Sequence, residues 1–84
     1  MYRISFKSSA AHQLDRLDGA TRARVDRRID ELSENPRPAG AKKLKGSSEL
    51  WRVRAGDYRV VYSIHDDVLL ILAIKIGHRR DVYR

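Results

Sequence analysis

The residues of this chain best suited to chemistry are arginines and a tyrosine in its last third. Arg52 and Arg54 are two positions apart in an alternating stretch, so in a strand their side chains share one face. Arg59 lies in the next alternating stretch, and the chain ends with Gly77-His78-Arg79-Arg80-Asp81-Val82-Tyr83-Arg84. Guanidiniums gathered without matching carboxylates repel one another unless an anion lies between them. The planar fork of arginine suits a phosphate, which predicts a phosphate-bearing ligand.

The positive charge of the chain is concentrated in its second half. The formal net charge is +7, and residues 42–84 hold ten Lys or Arg against five Asp or Glu, whereas residues 1–41 hold eight against six. Such an excess favours nucleic acid or the ribosome as a partner, although a basic surface can also serve only to keep a small protein soluble. We expect Lys42, Lys43 and Lys45 to grip phosphates without choosing a sequence.

Length and composition restrict the class of protein. The 84 residues predict one domain, residues 1–84, with a single small core. Because there is no cysteine, neither a disulfide framework nor a thiolate metal site is available, and we expect no metal and no cofactor. The longest apolar run is too short to span a bilayer, and the N-terminus lacks a signal-peptide pattern. These features predict a cytoplasmic protein with no membrane partner.

The first half of the chain changes from a strand pattern to a helix pattern. Residues 2–6 alternate between apolar and polar side chains, which predicts a half-buried strand. Ser8 or Ser9 is the expected N-cap of a helix over about residues 9–17, which Asp18-Gly19 interrupts. A second amphipathic helix follows and ends at Asn35-Pro36, because the residue before proline is disfavoured in the α region.

The second half of the chain has the period of strands. Residues 36–45, the connector, are basic and have little to bury. Residues 50–54 and 58–64 then alternate on either side of Gly56-Asp57, with Trp51, Tyr58 and Tyr62 directed inward. After the turn His65-Asp66-Asp67, residues 68–76 are apolar on both faces, as expected of a central strand.

The order of elements predicts an α+β fold, β-α-α-β-β-β. A two-helix hairpin should pack on one face of a small twisted, mainly antiparallel sheet. The other face, on which Arg52 and Arg54 emerge, is left for solvent or a ligand.

Five segments carry a family resemblance through their order and spacing. They are the helical hairpin ending in Asn35-Pro36, Lys43-Leu44-Lys45-Gly46, Trp51-Arg52-Val53-Arg54, Gly56-Asp57-Tyr58-Arg59-Val60-Val61-Tyr62, and Gly77-His78-Arg79-Arg80-Asp81-Val82-Tyr83. Over nearly its whole length the chain resembles the RelE/ParE superfamily of toxins from type II toxin–antitoxin pairs, whose fold is similar to that of microbial ribonucleases.

The resemblance implies an activity and a set of residues for it. Members of the RelE branch cut messenger RNA in the ribosomal A site without a metal, whereas members of the ParE branch poison DNA gyrase and lack the nuclease cluster. Compared with the best-known RelE member, this chain has arginine in place of lysine at the first two cluster positions and a shorter tail. The RelE-type cluster falls here on Arg52, Arg54, Arg59, Arg79 and Tyr83.

The cluster implies cleavage by attack of a ribose 2′-hydroxyl on the neighbouring phosphate. This reaction needs a base for the 2′ proton, cations for the extra negative charge and a proton for the leaving oxygen. Tyr83 is the candidate base; free tyrosine titrates near ~10, and arginines that lower this pKa by about two units would supply roughly 2.7 kcal/mol. Because no ordinary acid–base pair is present, we expect negligible activity on free RNA.

The same scheme implies roles for the remaining cluster residues. Arg59 and Arg79 would hold the scissile phosphate, and Arg52 and Arg54 would contact the RNA backbone. One of that second pair, or His78, would give the leaving oxygen its proton. Further RNA contacts are expected from Lys42, Lys43, Lys45, His78, Arg80 and Arg84.

The resemblance also implies partners. They are messenger RNA, the ribosome and a cognate antitoxin, whose acidic amphipathic segment would fold onto the basic sheet face. Operator DNA would be bound only indirectly, through the toxin–antitoxin complex.

Other functions remain open at this point. The presence of Arg59, Arg79 and Tyr83 together argues against a ParE-like gyrase inhibitor. A plain RNA-binding module would be expected to show aromatic stacking platforms, which are missing because most aromatics alternate inward. A degenerate, inactive toxin is a further alternative. Without the resemblance, Arg52 and Arg54 are interpreted as ordinary solvent-facing strand residues, and Tyr83 as cover for a sheet edge.

Overall fold

Two helices and five strands make up the computed structural model, which describes residues 1–46 and 49–80. Both helices pack on one face of a mixed sheet, so the predicted α+β fold is confirmed. In chain order the elements are β1 (Arg3–Phe6), α1 (Ser8–Asp15), α2 (Gly19–Glu34), β2 (Lys42–Lys43), β3 (Leu50–Ala55), β4 (Tyr58–His65) and β5 (Leu70–His78).

The sheet has the strand order β1-β5-β4-β3-β2. β1 runs parallel to β5 and the other pairs are antiparallel, so β3, β4 and β5 form the predicted meander. The prediction of a connector without a strand was wrong, because Lys42 pairs with Arg52 and Lys43 with Trp51. Two residues are too few to show a strand period, so only the tertiary structure reveals β2.

The helix boundaries follow from local chemistry. Asp18 is the N-cap of α2, and its carboxylate accepts the N–H of Thr21 at 2.9 Å. Asn35 is extended before Pro36, which ends α2 as predicted. The predicted serine N-cap of α1 was wrong: Lys7 occupies that position without a side-chain cap, and Ser8 is already helical.

The core lies between the helices and the covered face of the sheet. Leu32 of α2 packs there with Val53, Val60, Tyr62 and Ile71 of the strands, all of them fully buried. Trp51 and Tyr58 are half-buried and pack against this cluster, in agreement with their predicted inward direction. The sheet face opposite the helices, called the open face below, carries the alternate side chains of the same strands.

β5 begins later than the apolar run predicted. Val68 and Leu69 lie in the turn before it and are 54% and 48% exposed. Leu69 has a φ of 52°, which a strand residue does not adopt. Neither described helix is long and apolar enough to cross a membrane.

Candidate active site

Three neighbouring arginine side chains project from the open face of the sheet. Arg52 and Arg54 alternate with the buried Val53 on β3, so they share the face that points away from the helices. Arg54 is paired with Arg59 of β4, and residues directly opposite one another in an antiparallel pair share a face. The strand register therefore gathers the guanidiniums that the sequence pattern predicted to lie together.

A groove forms where the connector passes the open face. It has a volume of about 490 Å³, which falls within the range of small-ligand sites. Among the described residues it is lined by five cationic residues and one apolar residue, and we call it the cationic groove: Lys42, Lys43, Leu44, Lys45, Arg52 and Arg59. Because Lys43 pairs with Trp51, its side chain lies on the same side of the sheet as that inward-directed ring rather than on the open face. The predicted phosphate-gripping lysines are thus brought beside two residues of the predicted catalytic cluster.

Several contacts hold the connector against the sheet. β2 pairs with β3, and just beyond it the N–H of Leu44 donates to the carbonyl of Leu50 at 2.9 Å. Lys43 Nζ lies 5.9 Å from the centre of the Trp51 ring, within cation–π range. At the start of the connector, the hydroxyl of Tyr62 donates to the carbonyl of Pro36 at 2.7 Å. The connector that carries the lysines is therefore held in place against the sheet.

The cations of the groove differ in depth. Lys42, Lys43 and Lys45 are exposed at its rim, whereas Arg52 and Arg59 are half-buried and the Nε atom of Arg59 is fully covered. A half-buried guanidinium is screened less by solvent than an exposed lysine, so it acts more strongly on a bound anion. Arg52 and Arg59 are the groove residues best placed to stabilise charge on a phosphate.

The other predicted residues are distributed around this groove. Arg54 is exposed beside it but does not line it. The N–H of Arg79 donates to the carbonyl of Asp57 at 2.8 Å, which continues the ladder in which Arg59 faces Gly77. This register sets Arg79 diagonally across from Arg59, near the tip of the β3–β4 hairpin. Arg79 is exposed there, as is Arg80.

His78 does not face the groove. It is paired with Tyr58, and their rings meet edge to face with centroids 5.6 Å apart. Tyr58 packs on the helix side, so His78 lies on the face of the sheet opposite Arg59. The N–H of Arg80 donates to His78 Nδ1 at 3.3 Å. Tyr83 and Arg84, the last predicted site residues, lie outside the described part of the chain.

Lys75 of β5 is an open-face cation that sequence reasoning missed. It pairs with Val61, which in turn pairs with Arg52, so these three side chains form one row across the sheet. A β-bulge places Ile74 between two successive pairs, and the alternation that buries Ile71 and Ala73 shifts by one residue there. Without the bulge, Lys75 would point into the core. The available signal was a lone charge in an otherwise apolar run.

The cationic groove is chemically suited to a phosphodiester. It offers several positive charges to a backbone phosphate and, at Leu44, an apolar contact. Lysine and arginine are protonated at neutral pH and serve poorly as general bases. The groove can therefore bind a phosphate and stabilise its transition-state charge, but a proton acceptor must come from another group. Fold and groove together define a small basic α+β protein with a candidate anion-binding site on the open face of its sheet.

Comparison with known proteins identifies the family. Residues 4–83 match the family described as ParE toxin of type II toxin–antitoxin system, parDE. The chain therefore belongs to the RelE/ParE superfamily of toxins from type II toxin–antitoxin systems.

Individual relatives are named for the RelE side of this superfamily. A putative RelE-like toxin protein of Escherichia coli is 29% identical over 98% of this chain and 90% of its own length. The mRNA interferase toxin RelE of Escherichia coli strain K12 is 28% identical over 93% of this chain and 83% of its own length. In the crystal structure of an archaeal RelE–RelB complex from Pyrococcus horikoshii OT3, a chain 30% identical superposes with a TM-score of 0.82, covering 96% of this chain and 98% of that one.

Proposed function

We propose that this toxin is a ribosome-dependent endonuclease of messenger RNA, of the RelE branch. The observation that carries the proposal is the cationic groove, in which Arg52 and Arg59 lie beside the connector lysines on the open face. The similarity to a protein named mRNA interferase toxin RelE supports the same substrate class. A site on the ribosome implies action in the cytoplasm.

The proposed reaction uses side chains alone. The 2′-oxygen of a ribose bonds to the adjacent phosphorus while the bond from phosphorus to the 5′-oxygen breaks, leaving a 2′,3′-cyclic phosphate and a 5′-hydroxyl. Arg59 and Arg52 stabilise the charge that builds on the phosphate oxygens, with Arg79 approaching from the hairpin tip. Tyr83, as its phenolate, accepts the 2′ proton. Since His78 lies on the other face of the sheet, we assign the leaving-group proton to a groove cation or to water.

We further propose a cognate antitoxin as the regulatory partner. Solved relatives include RelE–RelB complexes from Pyrococcus horikoshii and Escherichia coli. An acidic amphipathic segment would fold onto the open face and neutralise the groove, because its carboxylates suit the same guanidiniums as a phosphate does. Contact with operator DNA would then be made by the complex rather than by the toxin alone.

A mapping experiment in cells tests the nuclease. The toxin is expressed without antitoxin, and 5′ ends on translated messages are mapped by primer extension. Wild type should arrest growth and cut within codons. Arg59→Ala should reduce cutting by about 10²-fold or more, the usual effect of removing a preorganised charge-stabilising group. Tyr83→Phe should do the same if the phenolate is the base. Arg27→Ala, which removes one exposed arginine from α2, is the control and should cut like wild type.

A gyrase inhibitor is the second candidate, because the matching family is described by the ParE name. The same expression experiment separates the two functions. Growth arrest with a DNA-damage response and intact messages would replace the nuclease by the gyrase inhibitor. Unaffected growth with retained RNA binding would indicate an inactive RNA-binding module.

A further inference from the structure

Arg28 of α2 joins three parts of the chain through one guanidinium. Its Nε donates to the carbonyl oxygen of Arg54 on β3 at 3.0 Å, and its Nη2 donates to the carbonyl oxygen of Ala39 in the connector at 3.2 Å. Its Nη1 donates to the carboxylate of Glu31, one turn further along the helix. The side chain is only 23% exposed. A planar fork held at all three nitrogens has little freedom to move.

The hydrogen bond from Arg28 Nε to the Arg54 carbonyl forms at a part of β3 that β2 does not cover. β2 pairs with β3 only at Trp51 and Arg52, so the described part of the connector provides no strand partner at Arg54. Backbone carbonyls at a sheet edge need a donor from a side chain or from water. Arg28 Nε supplies that donor and ties α2 to the strand that carries Arg52.

The bond to Ala39 lies where the connector turns toward β2. The N–H of Ala41 donates to the carbonyl of Pro38 at 3.0 Å, and between them Gly40 has a φ of 90°. A Cβ at Gly40 would lie 3.6 Å from Arg28 Nη2, so the turn passes close to the guanidinium. Lys42 follows two residues later. One side chain therefore holds both the strand wall and the connector wall of the cationic groove.

We propose that Arg28 is a positioning residue of the cationic groove, which sets the separation between the connector lysines and Arg52 and Arg59. Arg28 does not line the groove, and Glu31 balances its charge. We expect lysine to replace it poorly, because one ammonium nitrogen does not reproduce the planar fork whose three nitrogens each reach a separate acceptor. The role of the groove in RNA binding depends on the proposed function, whereas the placement of the connector does not.

Two measurements on the same variants test this role. Amide hydrogen exchange is followed at Leu44, whose N–H donates to the Leu50 carbonyl, and at Lys42, whose N–H points to the same strand because bonded pairs alternate. Affinity is measured by fluorescence anisotropy with a single-stranded oligoribonucleotide carrying 2′-O-methyl riboses, which cannot be cut. In Arg28→Ala and Arg28→Lys we expect exchange at these amides to quicken about tenfold, because their local opening becomes easier. We expect RNA affinity to fall by about tenfold, the loss of one to two phosphate contacts.

Arg27→Ala is the matched control, because it removes an exposed arginine from the next position of the same helix. Both of its readouts should stay within about twofold of wild type. Unchanged exchange in the β4–β5 ladder shows that a variant is folded, and if Arg28→Ala does not fold, Arg28→Lys decides. The proposal is overturned if Arg28→Lys keeps wild-type exchange at Leu44, or if both Arg28 variants behave like Arg27→Ala. Faster connector exchange in a protein whose wild type cuts no message in the expression experiment would refute the proposed function and still support the placement of the connector by Arg28.

Discussion

At the scale of single residues, Tyr62 shows how a buried polar atom links two segments. Its ring is fully buried on β4, and its hydroxyl donates to the Pro36 carbonyl at 2.7 Å. Burial raises the pKa of Tyr62 to about 12, an effect that the charges of Arg28 and Arg37 partly offset. The neutral phenol is thus favoured in the folded state, and it holds the beginning of the connector to the sheet.

The raised pKa of Tyr62 predicts a loss of stability in alkali. Above about pH 10 an unfolded tyrosine releases its proton, whereas the folded one keeps it until about pH 12. The folded state then binds more protons, so the free energy of unfolding falls as pH rises through this window, by roughly 2–3 kcal/mol in total. Urea titrations at pH 8, 10 and 11 should show the decrease in wild type, with full stability from this group below about pH 10.

Tyr62→Phe separates this effect from the titration of other groups. The variant should lose about 1–2 kcal/mol at pH 8, because the Pro36 carbonyl loses its donor. Its disadvantage should shrink as pH rises, since it has no phenol to ionise. A gap between the two proteins that stays constant from pH 8 to 11 would contradict the assignment. Tyr58→Phe, in a half-buried ring on the same core, is the control and should follow wild type.

Residue-level reasoning from sequence succeeded where strand alternation is regular. That Arg52 and Arg54 share a face follows from their spacing alone, and β3 is regular enough to obey it. Lys75 could not be placed in this way, because the bulge opposite Val61 and Tyr62 reverses the alternation. The partners of Arg28 were equally out of reach, since two of them are carbonyl groups that any residue type could present.

At the scale of elements, the β3–β4 hairpin sets which arginines face each other. Ala55 pairs with Tyr58 across the two-residue turn Gly56-Asp57, which brings Arg54 opposite Arg59. Gly56 has a φ of 62°, a conformation that favours glycine. Arg24 of α2 lies over this turn, and a Cβ at Gly56 would approach its Nη1 to 3.2 Å.

Replacing Gly56 tests the importance of this turn. Gly56→Ala should lower the free energy of unfolding by about 1–2 kcal/mol, because an alanine in the left-handed region is strained. Gly19→Ala is the control, since a Cβ at Gly19 has no atom within 4 Å and helices favour alanine. It should leave stability unchanged or raise it. Chemical denaturation measures both, and an equal loss in the two variants would show that the turn geometry is not the cause.

The elements could be predicted from sequence to the extent that they are long and periodic. Both helices, β1 and the three-strand meander follow from their patterns, and Asp18 and Pro36 mark the limits of α2. The two-residue β2 carries no such signal. The approach of the connector to the open face depends on pairing with β3, and this tertiary contact creates the cationic groove. The sequence thus predicted which cations belong to the groove, but not the pairing of the connector with β3 that forms it.

At the scale of the whole molecule, the net charge of +7 could attract RNA in two ways: through the positive field of the entire surface, or through the cations of the groove. A general positive field attracts RNA to any side of the protein, and each cation then contributes weakly and interchangeably. A groove concentrates phosphate contacts in a few side chains. The dependence of affinity on salt distinguishes the two cases, because it counts the phosphates that are neutralised.

We expect the logarithm of RNA affinity to fall with the logarithm of salt concentration with a slope of about −2.8, if Lys42, Lys45, Arg52 and Arg59 contact phosphates of a single strand. The double variant Lys42→Ala/Lys45→Ala should reduce the slope to about −1.4, as expected for two remaining contacts. Arg16→Ala/Arg27→Ala removes the same charge from exposed positions, the C-cap of α1 and the surface of α2, and should stay near the wild-type slope. The probe is the uncleavable 2′-O-methyl oligoribonucleotide, titrated at several salt concentrations. If the two double variants lose affinity and slope equally, the field of the whole molecule binds the RNA, and the groove has no special part in holding it.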